Sequence, residues 1–340
     1  MRIALLSTIG QECGVAQYCA DLASAYVRLG HEVRVFSEQT DQYEDPPGFD
    51  VVRSFWRQKF DPMEVAATVM DWKPDAVEMQ HEFGIWPDDD ATVFLLGEFE
   101  CPKIVTLHTV PRRPHHEEFL RRLMGHVVVH HPSALTAALY ADWHYIPHGV
   151  GAFSDVRPTA RCVPPVAVMP GFLSPTKGHT EILNAMMYVS GFDLRIIGKP
   201  APGYMAILDD TIKTMGLTHR VSVEPRFLSR AEMRAEMRAA DVIVLNTVSD
   251  NYSASGQAAD CIALGLPSAS KAMPIYDQLH GVGFRFGYPA MPGTIPDIEI
   301  GATIMAAAET GMPKDWFERM RHLAHECSWE KVAKRRLEIL

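Results

Sequence analysis

Residues Asp241–Pro267 read DVIVLNTVSDNYSASGQAADCIALGLP, and this stretch indicates the fold class of the chain. It begins with a continuous apolar run, Val242–Leu245, passes through a turn of Ser and small residues, and ends in a helix-like segment, Gln257–Leu264. Backbone N–H groups at such a turn and at a helix N-terminus bind anions, and Asp260, one turn further on, suits a sugar hydroxyl. An ordinary βα unit in which Ser and Gly only cap the helix explains the same residues equally well.

Length and composition fit a two-domain globular protein. The chain has 340 residues, of which 47% are hydrophobic and 22% charged. A formal net charge of −10 argues against a general nucleic-acid-binding surface. The six cysteines contain no C-x-x-C pair, which argues against a zinc knuckle and a disulfide framework and favours a reducing cytoplasm. The N-terminus turns polar too soon for a signal peptide, and no apolar run approaches the roughly 20 residues that span a bilayer.

Apolar runs of strand length alternate with amphipathic segments along most of the chain. The predicted strands are Ile3–Leu6, Val33–Phe36, Ala76–Met79, Ile104–Leu107, Val127–Val129, Val166–Met169, Leu194–Ile197, Val221–Val223, Val242–Leu245 and Ser268–Ser270. The predicted helices include Val15–Leu29, Pro62–Trp72, Ala91–Phe99, Ser133–Ala141 and one opened by the capping box Ser229–Glu232. Continuous apolar strands that alternate with helices predict an α/β protein with doubly wound parallel sheets.

The pattern breaks once, at Gly149–Pro165, which is rich in Gly and Pro. We therefore predict an N-terminal Rossmann-like domain at 1–150, a linker at 151–165 and a C-terminal Rossmann-like domain at 166–312. A helical segment at 313–340 closes the chain. Ligands of such sheets collect at the carboxyl ends of the strands, so we expect the site in a central cleft between facing domain edges.

Several polar residues follow predicted strands. Lys177 begins the first helix of the second domain, where it is poorly placed against the helix dipole but well placed to neutralise a diphosphate. Gly14 precedes the first helix and allows a ligand to approach the backbone, although a loop that needs one flexible residue explains it too. His108 and the pair His81-Glu82 end neighbouring strands and together suggest a site. They match no metal-binding motif, so we expect no metal.

Two charged runs have simpler interpretations. Asp88-Asp89-Asp90 precedes a helix and is interpreted as its cap and first turn. Lys331, Lys334, Arg335 and Arg336 give the last helix a basic face that suits anionic lipid, although a solvated helix often carries such a face.

Six segments of the chain resemble the retaining GT-B glycosyltransferases of family 4, also called glycosyl transferases group 1. They are CGVAQYCADLASAYVRLGHEVRVF from Cys13, IVTLHTVPRRP from Ile104, YIPHGV from Tyr145, GFLSPTKG from Gly171, AADVIVLNT with GQAADCIALGLP from Ala239, and SWEKVAKRRLEIL from Ser328. Their order and spacing agree with the family along nearly the whole length. The resemblance implies a GT-B fold whose C-terminal helix crosses back to the first domain.

The resemblance also implies roles for individual residues. His108 would contact the donor sugar at the reacting face and is the expected catalytic residue. The expected donor-binding residues are Gly14, Lys177, Arg226, Tyr252, Ser253, Ala254, Ser255, Gly256 and Asp260. The expected acceptor-side residues are Tyr18, Glu82 and Arg112.

Four positions depart from the family pattern. Phe172 replaces an arginine of the donor loop, and losing that charge-assisted contact costs roughly 1.5–3 kcal/mol. Tyr252 and Asp260 stand where two glutamates are expected, and His148 replaces an asparagine. The departures lie in the residues expected to contact the sugar and the nucleotide.

The resemblance implies a metal-independent, cytoplasmic hexosyltransferase that uses a UDP- or GDP-linked sugar as co-substrate and has no cofactor. Its acceptor would be a glycan, a lipid-linked sugar or a small molecule, and peripheral contact with a membrane fits the basic last helix. A non-catalytic GT-B protein that binds a nucleotide or a sugar is an alternative, motivated by Phe172 and Tyr252. A nucleotide-sugar epimerase, which has the same fold but no acceptor, is a second alternative.

Overall fold

The computed structural model describes residues 1–40, 44–86, 89–110, 114–132, 143–156, 162–249, 251–279, 281–287, 296–311 and 313–340. The chain forms two compact units. The first consists of Met1–Gly149, Asn251–Gly256 and Cys327–Leu340, and the second of Val150–Asp250 and Gln257–Glu326. Across the described ranges, no helix combines the length and the apolar character needed to cross a membrane.

The strands are β1 Arg2–Leu6, β2 Glu32–Glu38, β3 Asp50–Phe55, β4 Ala76–His81, β5 Lys103–Leu107, β6 His126–Val129, β7 Trp143–Tyr145, β8 Val166–Pro170, β9 Asp193–Ile197, β10 Val221–Glu224, β11 Val242–Leu245, β12 Ser268–Lys271 and β13 Phe284–Phe286. The α-helices are α1 Gly14–Arg28, α2 Pro62–Asp71, α3 Asp89–Gly97, α4 Pro114–Arg122, α5 His179–Tyr188, α6 Tyr204–Thr214, α7 Arg230–Arg238, α8 Gly256–Leu264, α9 Pro296–Thr310, α10 Lys314–Glu326 and α11 Trp329–Leu337.

The first unit is built on a seven-stranded sheet in the order β3-β2-β1-β4-β5-β6-β7, with every pairing parallel. Successive side chains of a strand point to opposite faces. In β1, Ala4 and Leu6 therefore join the core beneath α2, α3 and α4, while Ile3 and Leu5 join the core beneath α1 and α11. Because helices cover both faces, β1 reads as the continuous apolar run that the sequence shows.

The second unit repeats this plan with six parallel strands in the order β10-β9-β8-β11-β12-β13. Phe192, Leu194 and Ile196 lie in its core with Val242 and Val244. Full burial of a side chain of this size contributes about 1.5–3 kcal/mol. The two α/β units with parallel sheets confirm the predicted fold class.

Each sheet reverses its strand order beside its first strand, between β1 and β4 in one unit and between β8 and β11 in the other. In doubly wound sheets, ligands bind outside the carboxyl ends of the strands at this point. Each switch point is therefore a candidate place for a ligand.

The sequence predicted ten of the described strands and missed β3, β7 and β13. All three are the outermost strands of their sheets. An edge strand is covered less completely, so it lacks the long apolar run on which the prediction depended. The pattern of β7 shows this, since Trp143 and His144 are half-buried and Tyr145 is exposed. The predicted helix Ser133–Ala141 lies outside the described residues.

The sequence predicts one helical segment at 313–340 that packs toward the first domain. The segment divides into α10, which groups with the second unit, and α11, which groups with the first. Phe317 of α10 packs against Phe153, with ring centroids 5.1 Å apart, while Trp329 and Val332 of α11 join the core beneath α1. The two helices bury their apolar residues in different cores.

The capping box is confirmed at the start of α7. The Ser229 hydroxyl accepts a hydrogen bond from the Glu232 amide, and the Glu232 carboxylate accepts one from the Ser229 amide. Asp89 and Asp90 form the first turn of α3 as predicted, and Asp88 lies outside the described residues.

Candidate functional site

Lys177 and Gly178 lie in the loop that connects β8 to α5, at the switch point of the second unit. Gly178 has a φ of 63°, in the left-handed region that glycine tolerates best. A Cβ at this position would lie 2.4 Å from Asn246 Nδ2, which donates a hydrogen bond of 2.8 Å to the Gly178 carbonyl. Glycine at position 178 is therefore required by the close approach of the Asn246 side chain to the backbone.

The end of β11 holds the same loop in place. The Thr247 hydroxyl donates to the Thr176 carbonyl at 2.8 Å, and the Val248 amide donates to the same oxygen at 2.9 Å. Asn246 and Thr247 are buried. Neither was predicted as a site residue, although two polar residues directly after a buried strand indicate one. They hold the loop that carries Lys177 in one conformation.

The Lys177 side chain lies close to Gly171 and Gln257. A Cβ on Gly171 would be 3.7 Å from Lys177 Cε and 3.2 Å from Gln257 Nε2. Burial lowers the pKa of Lys177, because desolvation disfavours its charged form. An anion at this place would compensate that cost. Gln257, in the first turn of α8, was not among the predicted site residues.

Asp260 is held by arginines of α7. Its Oδ1 accepts hydrogen bonds from Nε and Nη2 of Arg234, at 2.9 and 2.6 Å, and lies 3.6 Å from Nη2 of Arg230. A Cβ on Gly151 would be 2.9 Å from the same Arg234 Nη2. Asp260, predicted to bind the donor, is thus already part of an ion pair. Neither arginine was predicted, because nothing in the sequence links Asp260 to partners as distant as Arg234, which is 26 residues away.

Arg226, predicted to bind the donor, is ion-paired with two carboxylates in the structure. Its Nε lies 2.7 Å from Glu224 and its Nη1 lies 3.0 Å from Glu232, and half of its side chain is exposed. Phe172, at the family's arginine position, is exposed, and its ring centroid lies 6.3 Å from that of Phe227. An aromatic pair therefore stands where a cation was expected.

The turn before α8 groups with the first unit, where it pairs with the segment that follows β5. Tyr252 forms an antiparallel bridge with Thr109, and the Ser253 amide donates to the His108 carbonyl at 2.9 Å. The Ser253 hydroxyl donates to the Leu107 carbonyl. The Ser253 amide is therefore not available to a phosphate, contrary to the prediction. The same bonds place Tyr252 and His108, the two predicted sugar-contacting residues, on adjacent backbone.

Two predicted ligand-contacting glycines begin helices, Gly14 in α1 and Gly256 in α8. A Cβ on either would meet no described atom within 4 Å, and neither has a positive φ. The amides of a first helical turn have no acceptor inside their own helix. Packing against the described residues therefore does not explain glycine at these positions. Ala254 and Ser255 lie in the turn just before α8, and Ser255 is buried.

His108 follows β5 and packs against Tyr18 of α1. Their ring centroids are 4.7 Å apart in an edge-to-face arrangement, and His108 Nε2 lies 3.0 Å from Gln80 Oε1. Burial, followed by the charges of His148 and Arg336, lowers the pKa of His108 to about 3. His108 is therefore a neutral hydrogen-bonding group at neutral pH.

Tyr18 does not occupy the acceptor-facing position that the sequence analysis gave it. It is buried, and its hydroxyl accepts a hydrogen bond of 2.6 Å from Nη2 of Arg336. Its ring contacts His130 and Trp329 as well as His108. Tyr18 thus supports His108 from inside the unit.

Arg336 corrects a second expectation, because its side chain is fully buried and ion-paired with Glu78 of β4. It is therefore not part of an exposed basic face on α11. The sequence analysis missed this pair, since nothing in the sequence links residues so distant.

Of the remaining candidates, Glu82 follows β4 and is half-buried, and burial raises the pKa of its carboxyl group. Arg112 lies outside the described residues. His81 packs against Phe83 and Phe119, with ring centroids 4.8 Å from each, whereas His108 packs against Tyr18. Within the described parts of the chain, no three His, Cys, Asp or Glu side chains are grouped to hold a metal ion.

Comparison with solved structures finds the same fold in several proteins described as glycosyltransferases. A glycosyltransferase from Rickettsia africae aligns over 99% of this chain and 97% of its own, with a TM-score of 0.76 and 14% identity. HepE of Anabaena, in complex with UDP and glucose, aligns over 99% and 98%, with a TM-score of 0.71 and 17% identity. WaaG, a glycosyltransferase involved in lipopolysaccharide biosynthesis, aligns over 100% and 99%, with a TM-score of 0.69 and 13% identity.

No protein-family model and no curated protein sequence matches this chain. The similarity to these solved structures is one of three-dimensional structure along the whole length. The chain therefore has the GT-B fold, with two parallel-sheet α/β units of the kind that these glycosyltransferases share.

Proposed function

We propose that this protein is a glycosyltransferase that moves a hexosyl group from a nucleotide diphosphate sugar to an acceptor hydroxyl, with retention of anomeric configuration. The observation that carries the proposal is the switch point of the second unit. There Lys177, whose pKa burial lowers, is held beside Gly171 and Gln257 by bonds from the end of β11. A fixed, partly desolvated cation next to the first turn of α8 is suited to a diphosphate.

In this proposal the donor is bound by the β8–α5 loop and the start of α8, and Gly14 is assigned to donor binding as well. Lys177 neutralises the diphosphate as a point charge, and the first-turn amides of α8 donate to its oxygens. Gly14 and Gly256 let phosphate oxygens approach the backbone, since a Cβ at either position would meet no described protein atom. Asp260 binds a ribose hydroxyl while Arg234 orients its carboxylate.

The proposed reaction needs no protein nucleophile. The bond between the anomeric carbon and the diphosphate breaks, the acceptor oxygen forms the new bond on the same face, and the departing diphosphate takes the acceptor proton. Lys177 and the helix-terminal amides stabilise the charge that develops on the leaving group, so catalysis is electrostatic and positional. His108, neutral because its pKa is about 3, contributes a hydrogen bond to the donor sugar rather than a charge.

UDP- and GDP-linked sugars are the proposed donors, and UDP-glucose is the first to test because the structurally similar HepE of Anabaena was solved with UDP-glucose. Glu82, with its raised pKa, and Arg112 are the proposed acceptor-side residues. The acceptor is a glycan, a lipid-linked sugar or a small molecule, met in the cytoplasm or at a membrane surface. The proposed reaction uses no metal ion.

A second candidate function is binding of a nucleotide or sugar without transfer. Two observations favour it, namely the aromatic pair of Phe172 and Phe227 where a phosphate-binding arginine is expected, and the ion pair between Asp260 and Arg234. The aromatic pair and the ion pair both change the groups that would surround a bound donor, while Lys177 remains in place.

The test is incubation of the protein with UDP-, GDP- and ADP-linked sugars, with and without a panel of acceptors, in the presence of a chelator. The proposal is supported if sugar is transferred to an acceptor and the product has the same anomeric configuration as the donor, as read from its proton couplings. Conversion of the donor to a stereoisomer without acceptor identifies an epimerase. If a donor binds but is neither transferred to any acceptor of the panel nor slowly hydrolysed, the second candidate function is favoured.

A further inference from the structure

Glu78, Gln80 and His108 form a continuous chain of hydrogen bonds in the first unit. Gln80 Nε2 lies 2.8 Å from Glu78 Oε1, and Gln80 Oε1 lies 3.0 Å from His108 Nε2. Glu78 and Gln80 both belong to β4 and are 1% and 0% exposed, and His108 follows the neighbouring strand β5. Because the three side chains are bonded directly to one another, each bond constrains the next.

The Glu78 carboxylate decides the orientation of the Gln80 amide. Arg336 donates to Glu78 from Nη1, and the hydroxyls of Tyr26 and Thr106 donate to it at 2.8 and 3.2 Å. An ionised carboxylate only accepts hydrogen bonds. It must therefore face the NH₂ end of Gln80, since the reversed amide would place two acceptor oxygens in contact.

The oriented amide in turn decides which ring nitrogen of His108 carries the proton. The Gln80 oxygen can only accept, so Nε2 must be the donor. We infer that Gln80, oriented by the buried pair of Glu78 and Arg336, holds His108 in the neutral Nε2–H tautomer and makes its Nδ1 a hydrogen-bond acceptor. Gln80 and Glu78 are thus positioning residues for His108.

The surroundings of His108 support this assignment. Burial of the ring, followed by the charges of His148 and Arg336, lowers the pKa of His108 to about 3, so a second ring proton is absent at neutral pH. The described residues supply no hydrogen-bond donor to Nδ1. Tyr18 closes one side of the ring by its edge-to-face contact.

This tautomer restricts the kind of ligand group that His108 can bind. An acceptor nitrogen pairs with a hydroxyl or amine hydrogen and is repelled by a phosphate or carboxylate oxygen. If the proposed function holds, His108 Nδ1 accepts a hydrogen bond from a hydroxyl of the donor sugar and takes no part in binding the diphosphate. This last step rests on the proposed function, whereas the tautomer itself does not.

The tautomer is measured directly by nitrogen–proton correlation NMR on ¹⁵N-histidine-labelled protein without ligand, with His108 assigned from the signal that is lost in His108→Ala. The test variant is Gln80→Met, which removes the amide at similar size. The matched control is Thr106→Val, which removes a hydroxyl bonded to the same Glu78 oxygen but not to His108. Thermal unfolding of each variant confirms that it is folded.

The expected result is a neutral Nε2–H His108 in the wild type and in Thr106→Val, and a mixture of tautomers in Gln80→Met. An Nδ1–H or doubly protonated His108 at neutral pH in the wild type would overturn the inference. An unchanged tautomer in folded Gln80→Met would overturn the role of Gln80.

The ligand arm uses UDP-glucose and its monodeoxyfluoro analogues, in which one hydroxyl donor at a time becomes a fluorine. One analogue should bind the wild type up to about tenfold more weakly than UDP-glucose does, as expected for one lost hydrogen bond. The same analogue and UDP-glucose should bind His108→Ala with equal affinity. If UDP-glucose binds but every analogue loses equally in both proteins, Nδ1 does not bind a sugar hydroxyl. If UDP-glucose does not bind at all, the proposed function fails for this donor while the NMR result still decides the tautomer.

Discussion

Arg336 and Glu78 form an ion pair whose side chains are 0% and 1% exposed, although 258 residues separate them in sequence. The pair fixes α11 against the sheet of the first unit, because Arg336 also donates to the Thr106 and Tyr18 hydroxyls. Its other consequence is the orientation of Gln80 and, through it, of His108. One arginine near the C-terminus therefore contributes to both the packing and the chemistry of the candidate site.

Replacing Arg336 by Met should destabilise the protein by about 3–5 kcal/mol, because it leaves the Glu78 charge buried without its partner. The double variant Arg336→Met with Glu78→Leu should recover much of that loss, since no charge remains to be desolvated. Urea unfolding of the wild type, both single variants and the double variant measures this coupling. The matched control is Arg28→Met at the exposed pair Arg28–Glu330, where the loss should be much smaller. Equal losses at the two sites would refute the account of the buried pair.

Lys177→Ala should weaken the binding of a nucleotide diphosphate sugar by about 10- to 150-fold, as expected for a charge-assisted contact of roughly 1.5–3 kcal/mol. Asp260→Ala should weaken it less, because Asp260 is already shared with Arg234. Calorimetric titration compares the two, with the exposed Lys213→Ala as the control. Negligible effects of both substitutions would remove both residues from the site.

The affinity for the donor should also fall as the pH rises from about 7 to about 10. Burial lowers the pKa of Lys177, so its positive charge is lost at a lower pH than that of an ordinary lysine. Lys177→Arg, whose guanidinium stays charged throughout this range, should show a flatter profile. A wild-type affinity that does not change with pH would indicate that Lys177 does not bind the phosphates.

Gly14→Ala and Gly256→Ala should keep or slightly raise the free energy of unfolding, since alanine favours a helix by up to about 1 kcal/mol over glycine and meets no described atom there. Both should weaken donor binding, because the new methyl group occupies the space of a ligand. Gly178→Ala should instead destabilise the protein by about 1–3 kcal/mol, owing to its φ of 63° and the contact with Asn246. Measuring the free energy of unfolding and the donor affinity of all three variants distinguishes a glycine that contacts the ligand from one that is needed for the fold. Unchanged donor affinity in both helix-start variants would argue against the assigned roles.

His81 should make the protein less stable in acid. Burial lowers its pKa to about 3, and neither ring nitrogen has a hydrogen-bond partner among the described residues. Below about pH 6.5 the unfolded chain binds a proton that folded His81 does not, so stability is lost as the pH falls from about 6.5 toward 3. At about pH 5 this amounts to about 2 kcal/mol.

His81→Phe should reduce the loss of unfolding free energy between about pH 7.5 and pH 5 by about 2 kcal/mol, whatever its effect at neutral pH. His325→Gln, at a ring that is largely exposed, is the control and should leave the pH dependence unchanged. Urea unfolding at the two pH values gives the comparison. The same slope in His81→Phe and the wild type would show that folded His81 already accepts the proton.

The sequence predicted the central strands of both sheets because helices cover both of their faces. Continuous apolar runs such as Val242–Leu245 need no knowledge of the fold to be recognised. Edge strands such as Phe284–Phe286 have partly exposed side chains and no such run. The division between α10 and α11 was missed because the segment is helical on both sides of Cys327 and Ser328, and only packing shows that two cores are involved.

The position of a candidate residue in the fold was predictable where the residue directly follows a recognisable strand, as for Lys177 after β8 and His108 after β5. It was not predictable where chemistry depends on a distant partner. Gln80 is an ordinary polar residue of a strand until Glu78 and Arg336 orient it. Tyr18 looks like an accessible helix residue until its hydroxyl is found to be buried against Arg336.

The most direct test of the central claim is calorimetric titration of the wild-type protein with UDP-glucose and with GDP- and ADP-linked sugars, with Lys177→Ala in parallel. The account predicts that at least one of these donors binds the wild type and binds Lys177→Ala at least about tenfold more weakly. If none of them binds, or if the donor that binds does so equally in both proteins, the proposed donor site is contradicted.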